Sequence, residues 1–226
     1  MKMVTANRFV VYSLRVFCTV LGLAATSAWA AFTTWDLNPD QLNQNVGSAS
    51  RTYTVDGYSI TAYGYDNNGG IGTPHELYYK FSAGEENERG LGLVGTRDNE
   101  LEAGLHFMQF SLSSILAAGF INGQIEVGSV QNGELWALYG SNTLGVLGTL
   151  LNSTPYGHDT DTQFVDIPNF GTYQYLSVLA VAFNVLPVAL RAELTPIPEA
   201  SSLIPVAVLA VAVTLFEIRR RRRAAT

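Results

Sequence analysis

Between Ala31 and Leu194 no long stretch keeps a helical period; what takes its place is alternation. "VALRAEL", residues 188–194, sets Val188, Leu190, Ala192 and Leu194 on one side and Arg191 and Glu193 on the other. Side chains that swap faces at every residue describe a strand with one dry face and one wet face. "HFMQFSL" (106–112) repeats the pattern with Met108, Phe110 and Leu112 against Gln109 and Ser111, and "QIEVGSV" (124–130) with Ile125 and Val127 against Gln124 and Glu126. In "RTYTVDGYSITAYGY" the pair Asp56-Gly57 separates two alternating segments, the pair a two-residue hairpin turn prefers. "SSILAAG" (113–119) reads as at most a short helical turn. About eight to ten such strands predict a mainly β fold, an antiparallel β-sandwich of the jelly-roll or immunoglobulin-like kind over 31–194. Longer helices are expected only in the two terminal apolar segments, so the sandwich is flanked by an N-terminal signal helix and a C-terminal transmembrane helix.

Charge is distributed as unevenly as hydrophobicity. Eight of the thirteen Lys and Arg lie near the ends (Lys2, Arg8, Arg15 and Arg219 to Arg223), leaving five basic residues against seventeen acidic ones between Ala31 and Pro196. A surface of that sign repels phosphate backbones, which argues against a nucleic-acid partner. The single cysteine, Cys18, falls in the N-terminal apolar segment. Once that segment is removed, disulfides, cysteine nucleophiles and thiolate metal sites are all excluded, and stability rests on a packed core.

The ends carry targeting signals. "MKMVTANRFVVYSLR" is positively charged, "VFCTVLGLAA" is apolar, and Ala28 and Ala30 form a small-x-small box, so 1–30 reads as a signal peptide cleaved after Ala30. At the other end a Pro/Ser linker (195–202) leads to an apolar segment (203–218) and an arginine-rich tail (219–226). The apolar run from Leu203 to Phe216 is fourteen residues, short against the roughly 20 a bilayer core asks for. Arg219, Arg220, Arg221, Arg222 and Arg223 act as stop-transfer charges and hold that end in the cytoplasm. The expected topology is a single-pass inner-membrane precursor with its domain outside.

Pro198-Glu199-Ala200, small serine-rich residues, a short apolar helix and an arginine cluster at the C-terminus resemble the PEP-CTERM sorting signal of Gram-negative bacteria. Pro198 and Glu199 match the first two motif positions, and Ala200 stands where proline is usual. The resemblance implies an exosortase, an integral-membrane processing enzyme, as partner, and a destination at the cell surface or in an extracellular polysaccharide matrix. A plain C-terminal anchor is the alternative and shares the same topology. The inner segment "FSAGEENERGLGLVGTRDNELEAGLHFMQFSL" is similar to a pattern found in proteins bearing that signal, and it supports the sandwich alone.

Few residues suggest chemistry. Among Glu85, Glu86, Glu88, Asp98, Glu100 and Glu102, the consecutive Asp98, Asn99 and Glu100 are the strongest candidates for calcium, because a tight turn converges their oxygens. A solvated acidic loop explains the same residues. "YGYDNNGG" (63–70), with Asp66, Asn67 and Asn68, reads as a turn before it reads as a cation site. His75, His106 and His158 fit no HExxH or HxH spacing, so a zinc site has to be assembled across loops. His158, Asp159 and Asp161 form the most enzyme-like short stretch, no GxSxG elbow is present, and no catalytic residue is assigned. The tyrosines Tyr53, Tyr58, Tyr63, Tyr65, Tyr78 and Tyr79 can stack on sugars if they face water, or fill the core if they do not. The expected function is therefore a non-catalytic structural or interaction role at the cell surface. A lectin-like, calcium-dependent carbohydrate-binding module is the alternative, and a secreted glycan-active enzyme comes after it.

Overall fold

The alternating segments become strands. The computed structural model describes residues 31–82, 88–131 and 133–195, together with 213, 214, 216, 219 and 220. In chain order the strands are β1 (Phe32–Asp36), β2 (Gln44–Asn45), β3 (Ser50–Val55), β4 (Tyr58–Asp66), β5 (Thr73–Pro74), β6 (Leu77–Phe81), β7 (Arg89–Leu93) and β8 (Leu101–Glu102). They continue with β9 (His106–Ser111), β10 (Phe120–Gly128), β11 (Leu135–Ser141), β12 (Thr149–Leu150), β13 (Phe164–Asp166), β14 (Tyr175–Ala182) and β15 (Asn184–Leu194). One short helix, α1 (Ser113–Ala117), occupies the expected helical turn. Strand segments outnumber the expectation because several are two-residue pieces, too short to leave a periodic trace in sequence.

One sheet runs β12-β11-β14-β9-β4-β3 with β5 beside β4, a second runs β1-β15-β10-β13 with β8 beside β15, and a third is β2-β6-β7. Pairings within the sheets are antiparallel. The inward residues of the two larger sheets share a single core: Ile60, Ala62, Met108, Phe110, Trp136 and Leu138 from one, Trp35, Ile125, Val127 and Leu190 from the other. Leu77, Tyr79, Leu91 and Leu93 of the third sheet join the same core. This is the layering of a β-sandwich. Ala30–Thr195 is a compact unit by itself.

Local chemistry explains two irregularities. Asp56 and Gly57 both take positive φ, 51° and 83°, as the turn of the β3–β4 hairpin requires. Pro187 lacks an N–H to give its neighbour, and it sits inside β15 where the register against β10 shifts between Glu126 and Val127.

The burial of β9 departs from expectation. Gln109, placed on the wet face by alternation, is fully buried. A loop over 142–148 lies across that face, and Gln109 holds it: its amide donates to the Val146 carbonyl (3.0 Å) and its Oε1 accepts from the Gly145 N–H (2.7 Å). Phe107 lies beneath the same loop in a small second cluster with Tyr65 and Leu179.

Among the described residues no helix is long and apolar enough to cross a membrane. The expected signal helix (1–30), the motif residues Pro198, Glu199 and Ala200, and most of the expected span 203–218 lie outside the described residues, with Ala28, Ala30 and Arg221 to Arg223. Arg219 and Arg220 are helical and exposed.

Buried tyrosines set the alkaline behaviour. Burial is the main cause that raises Tyr53, Tyr65 and Tyr156 above the usual value near 10.0. The folded chain then keeps phenolic protons that the unfolded chain releases, so stability is full below pH 10 and falls as pH rises beyond it. A titration followed by tyrosinate absorbance is expected to show at least these three rings ionising late, with unfolding. Ionisation of every ring near pH 10 in a folded chain contradicts the packing.

Candidate functional site: an Asp-His-His cluster at the end of the sandwich

Asp66 is the last residue of β4. It lies between Thr73 of β5 on one side and His106, the first residue of β9, on the other. Asp66 shares strand parity with Ile60 and Ala62, and His106 shares it with Met108 and Phe110, so both side chains belong to the inner face where the sheet runs out. The turn through "DNNGGIG" returns the chain to bring in His75. Here Gly64 is required: a Cβ on it would lie 2.5 Å from the His75 carbonyl oxygen and 2.4 Å from Leu93. The close approach is sealed by the His75 N–H on the Gly64 carbonyl (2.8 Å).

Three polar groups meet as a result. His75 Nδ1 is 2.6 Å from Asp66 Oδ1, and His106 Nε2 is 3.5 Å from the same oxygen. The two imidazoles stand edge to face, centroids 5.4 Å apart. His75 Nε2 lies 2.7 Å from the Val94 carbonyl. A carbonyl only accepts, so Nε2 carries a proton. His106 Nδ1 is buried with no hydrogen-bond partner. Burial, the largest influence on each ring, lowers both; in His75 the hydrogen bonds with Val94 and Asp66 outweigh it and hold the ring above its usual value. In His106 burial and the neighbouring His75 combine to push the ring down. Asp66 remains partly exposed, with 40% of its side-chain surface reaching solvent.

The sequence-derived calcium residues do not converge. Glu100 turns inward, where its carboxylate takes the Lys80 ammonium (2.6 Å) and the Ser129 hydroxyl (3.0 Å). Asp98 is exposed, and Asn99 Oδ1 accepts from the Gly95 N–H. Both sit at positive φ in a turn over Arg97–Asn99, which points consecutive side chains apart. A calcium ion there would need Glu100 to abandon a buried ammonium, a cost that opposes calcium at this turn. Glu102 accepts from the Arg97 N–H, and Glu88 reaches Lys80 at 3.2 Å. Glu85 and Glu86 lie outside the described residues.

Other candidates resolve into structure. Asn67 Oδ1 accepts from the Gly69 N–H within the turn, its amide donates across to the Gly104 carbonyl, and the Asn68 amide donates to Thr73 Oγ1. His158 and Asp161 both engage the Val130 backbone, and Asp159 is exposed. Tyr53, Tyr65 and Tyr79 are buried, Tyr58, Tyr63 and Tyr78 are half-buried, and Trp35 and Trp136 are fully enclosed. Three of the six tyrosines and both tryptophans are thereby taken up by the core and withheld from sugar stacking.

One cavity of about 260 Å³ opens on the outer face of the second sheet, lined by Thr34, Asp36, Arg89, Glu126 and Phe164 among others. It is smaller than the roughly 300–1,000 Å³ of ordinary ligand sites. Arg89 bridges to Asp36 in its lining, and Arg191 nearby is held between Phe32 and Phe164, 4.4 and 3.8 Å from the two ring centroids. Burial pushes the Glu126 carboxyl up, against the pull of Arg89 and Arg191.

Comparison with protein families, with curated proteins and with solved structures finds no match to this chain.

The histidine cluster was legible only in part. Asp66 and His75 flank the glycine-rich turn, so the turn itself signals that they meet. His106 arrives through the β4–β9 register, for which no spacing rule exists.

Proposed function

We propose that this chain is an exported protein carrying a PEP-CTERM-like sorting signal, with a non-catalytic structural or interaction role at the cell surface or in the extracellular matrix. Its domain is a two-sheet sandwich of the jelly-roll or immunoglobulin-like kind. The observation that carries the reading is where the sheets begin and end. β1 starts at Phe32, just past the cleavage site at Ala28-x-Ala30, and β15 ends at Leu194, just before the Pro/Ser linker and Pro198-Glu199-Ala200. Removing 1–30 and cutting at the motif therefore deletes none of the described strands. A processing signal has to spare the fold it releases, and this placement does.

In this reading the apolar segment 203–218 and Arg219 to Arg223 retain the precursor in the inner membrane, an exosortase-type enzyme acts at the motif, and polysaccharide outside the cell is the neighbouring polymer. Intact-mass analysis with C-terminal peptide mapping, on membrane and released fractions from the native host, tests it. A released chain from Ala31 to a residue within 198–200 is expected. A chain ending at Thr226 and found only in membranes reduces the tail to a plain anchor and removes the exosortase.

A further inference from the structure

We propose that Asp66, His75 and His106 bind one divalent transition-metal ion, zinc by preference, through the Asp66 carboxylate and one nitrogen from each ring. This site is independent of the sorting tail.

The Val94 carbonyl occupies His75 Nε2, so in a neutral ring Nδ1 presents a lone pair, and it presents it to the Asp66 oxygen 2.6 Å away. In the imidazolium form a proton fills this contact, and a metal ion can take that proton's place between the two lone pairs. His106 meets the same carboxylate oxygen at 3.5 Å, beyond a good hydrogen bond, while its Nδ1 has none. Nε2 is therefore the ring nitrogen turned to the carboxylate, and a metal bond there replaces a weak 3.5 Å approach, with the ring proton on Nδ1.

Geometry and donor type agree. The three ligand atoms lie within 4.8 Å of one another. Bonds of about 2.0–2.2 Å to a common tetrahedral ion place ligand atoms about 3.4 Å apart. Small side-chain rotations bring 2.6 and 3.5 Å to that value. Two nitrogens and one carboxylate oxygen suit zinc and its borderline neighbours, and they argue against calcium, which takes six to eight oxygens. The Val94 carbonyl is the outer partner that fixes the His75 tautomer, a regular companion of metal-bound histidine. Three protein ligands with solvent reaching Asp66 leave a fourth position for water. The ligands come from two strand ends and the segment behind Gly64, so the site is built on rigid elements.

The test uses the untagged full chain, freed of metal by chelator and titrated calorimetrically with zinc chloride. One equivalent is expected to bind, and cobalt(II) in its place is expected to give the visible bands of tetrahedral coordination. His106→Ala and Asp66→Asn are expected to weaken binding by more than about 100-fold, since even partners one layer out cost about 10–100-fold. His158→Ala is expected to change nothing. The chain has three histidines, so imidazole NMR of the unmutated protein gives a readout that no folding defect can obscure. Zinc must shift the His75 and His106 signals and leave those of His158. Absence of saturable binding at one equivalent, unshifted His75 and His106, or full affinity in a folded His106→Ala chain each overturns the site.

Discussion

Lys80→Met is expected to destabilise the domain by about 3–5 kcal/mol, the cost of leaving a buried charge without its partner. Lys80 is 8% exposed and Glu100 3%. The ammonium contacts Glu100 at 2.6 Å and Glu88 at 3.2 Å. With the lysine gone, Glu100 keeps only the Ser129 hydroxyl at 3.0 Å. Burial is the largest influence on both partners. It pushes the Glu100 carboxyl up; it opposes the Lys80 charge too, but Glu100 and Glu88 prevail and hold the ammonium above its usual value. The loss is a large share of the roughly 5–15 kcal/mol that holds a domain together. Replacing both partners, Lys80→Met with Glu100→Leu, is expected to recover most of it, because the desolvation cost then disappears with the charge. Urea midpoints of the two variants decide the matter. A single-variant loss of only about 1 kcal/mol, typical of a surface bridge, refutes the buried geometry.

The inward turn of Glu100 has no local signature in the sequence. Glu100 sits in a run of carboxylates, and nothing in "RDNELEAG" marks it as the one that turns inward. Its orientation follows from the approach of β7 to the 97–100 turn, so close that a Cβ on Gly92 would lie 1.8 Å from the Asn99 oxygen. Strand parity, by contrast, was readable for the core-facing residues of three strands. Ile125 and Val127 in β10, Leu190 and Ala192 in β15, and Met108 and Phe110 in β9 all face the core as alternation predicts. Alternation fails at Gln109 because it assumes that the second face meets water, and the 142–148 loop is a tertiary fact. His75 and His106 fail to announce themselves for the same reason. Side-chain period is local, whereas the register that puts Asp66 opposite His106 is set by pairing between strands 40 residues apart in sequence.

Trp35→Ala is expected to cost about 3–5 kcal/mol, the range for emptying a large buried aromatic site. The ring is wholly enclosed, tilted against Phe120 with centroids 5.5 Å apart, and its indole N–H donates to the Tyr58 carbonyl at 3.0 Å. Trp35→Phe keeps much of the volume and loses the donor, so it is expected to fall nearer 1–3 kcal/mol, roughly the cost of an unpaired buried acceptor. Phe183→Ala, at a ring 62% exposed, serves as the reference for a large apolar side chain that packs little, and should change stability by about 0.5 kcal/mol or less. Far-UV circular dichroism in denaturant reads all three without depending on tryptophan emission. A Trp35→Ala cost no larger than that of Phe183→Ala contradicts the packing. The position of the residue gives the prediction its further interest. β1 is the first strand after the expected cleavage site, yet it pairs with β15, the last, with Phe32 opposite Glu193. The second sheet therefore cannot close until the chain through residue 193 is available to pair. In the proposed topology the tail still holds the precursor at that moment, and Trp35 locks the first strand into the core as the last one arrives. Destabilising that lock is expected to increase proteolysis of the membrane-held precursor before any release at Pro198-Glu199-Ala200.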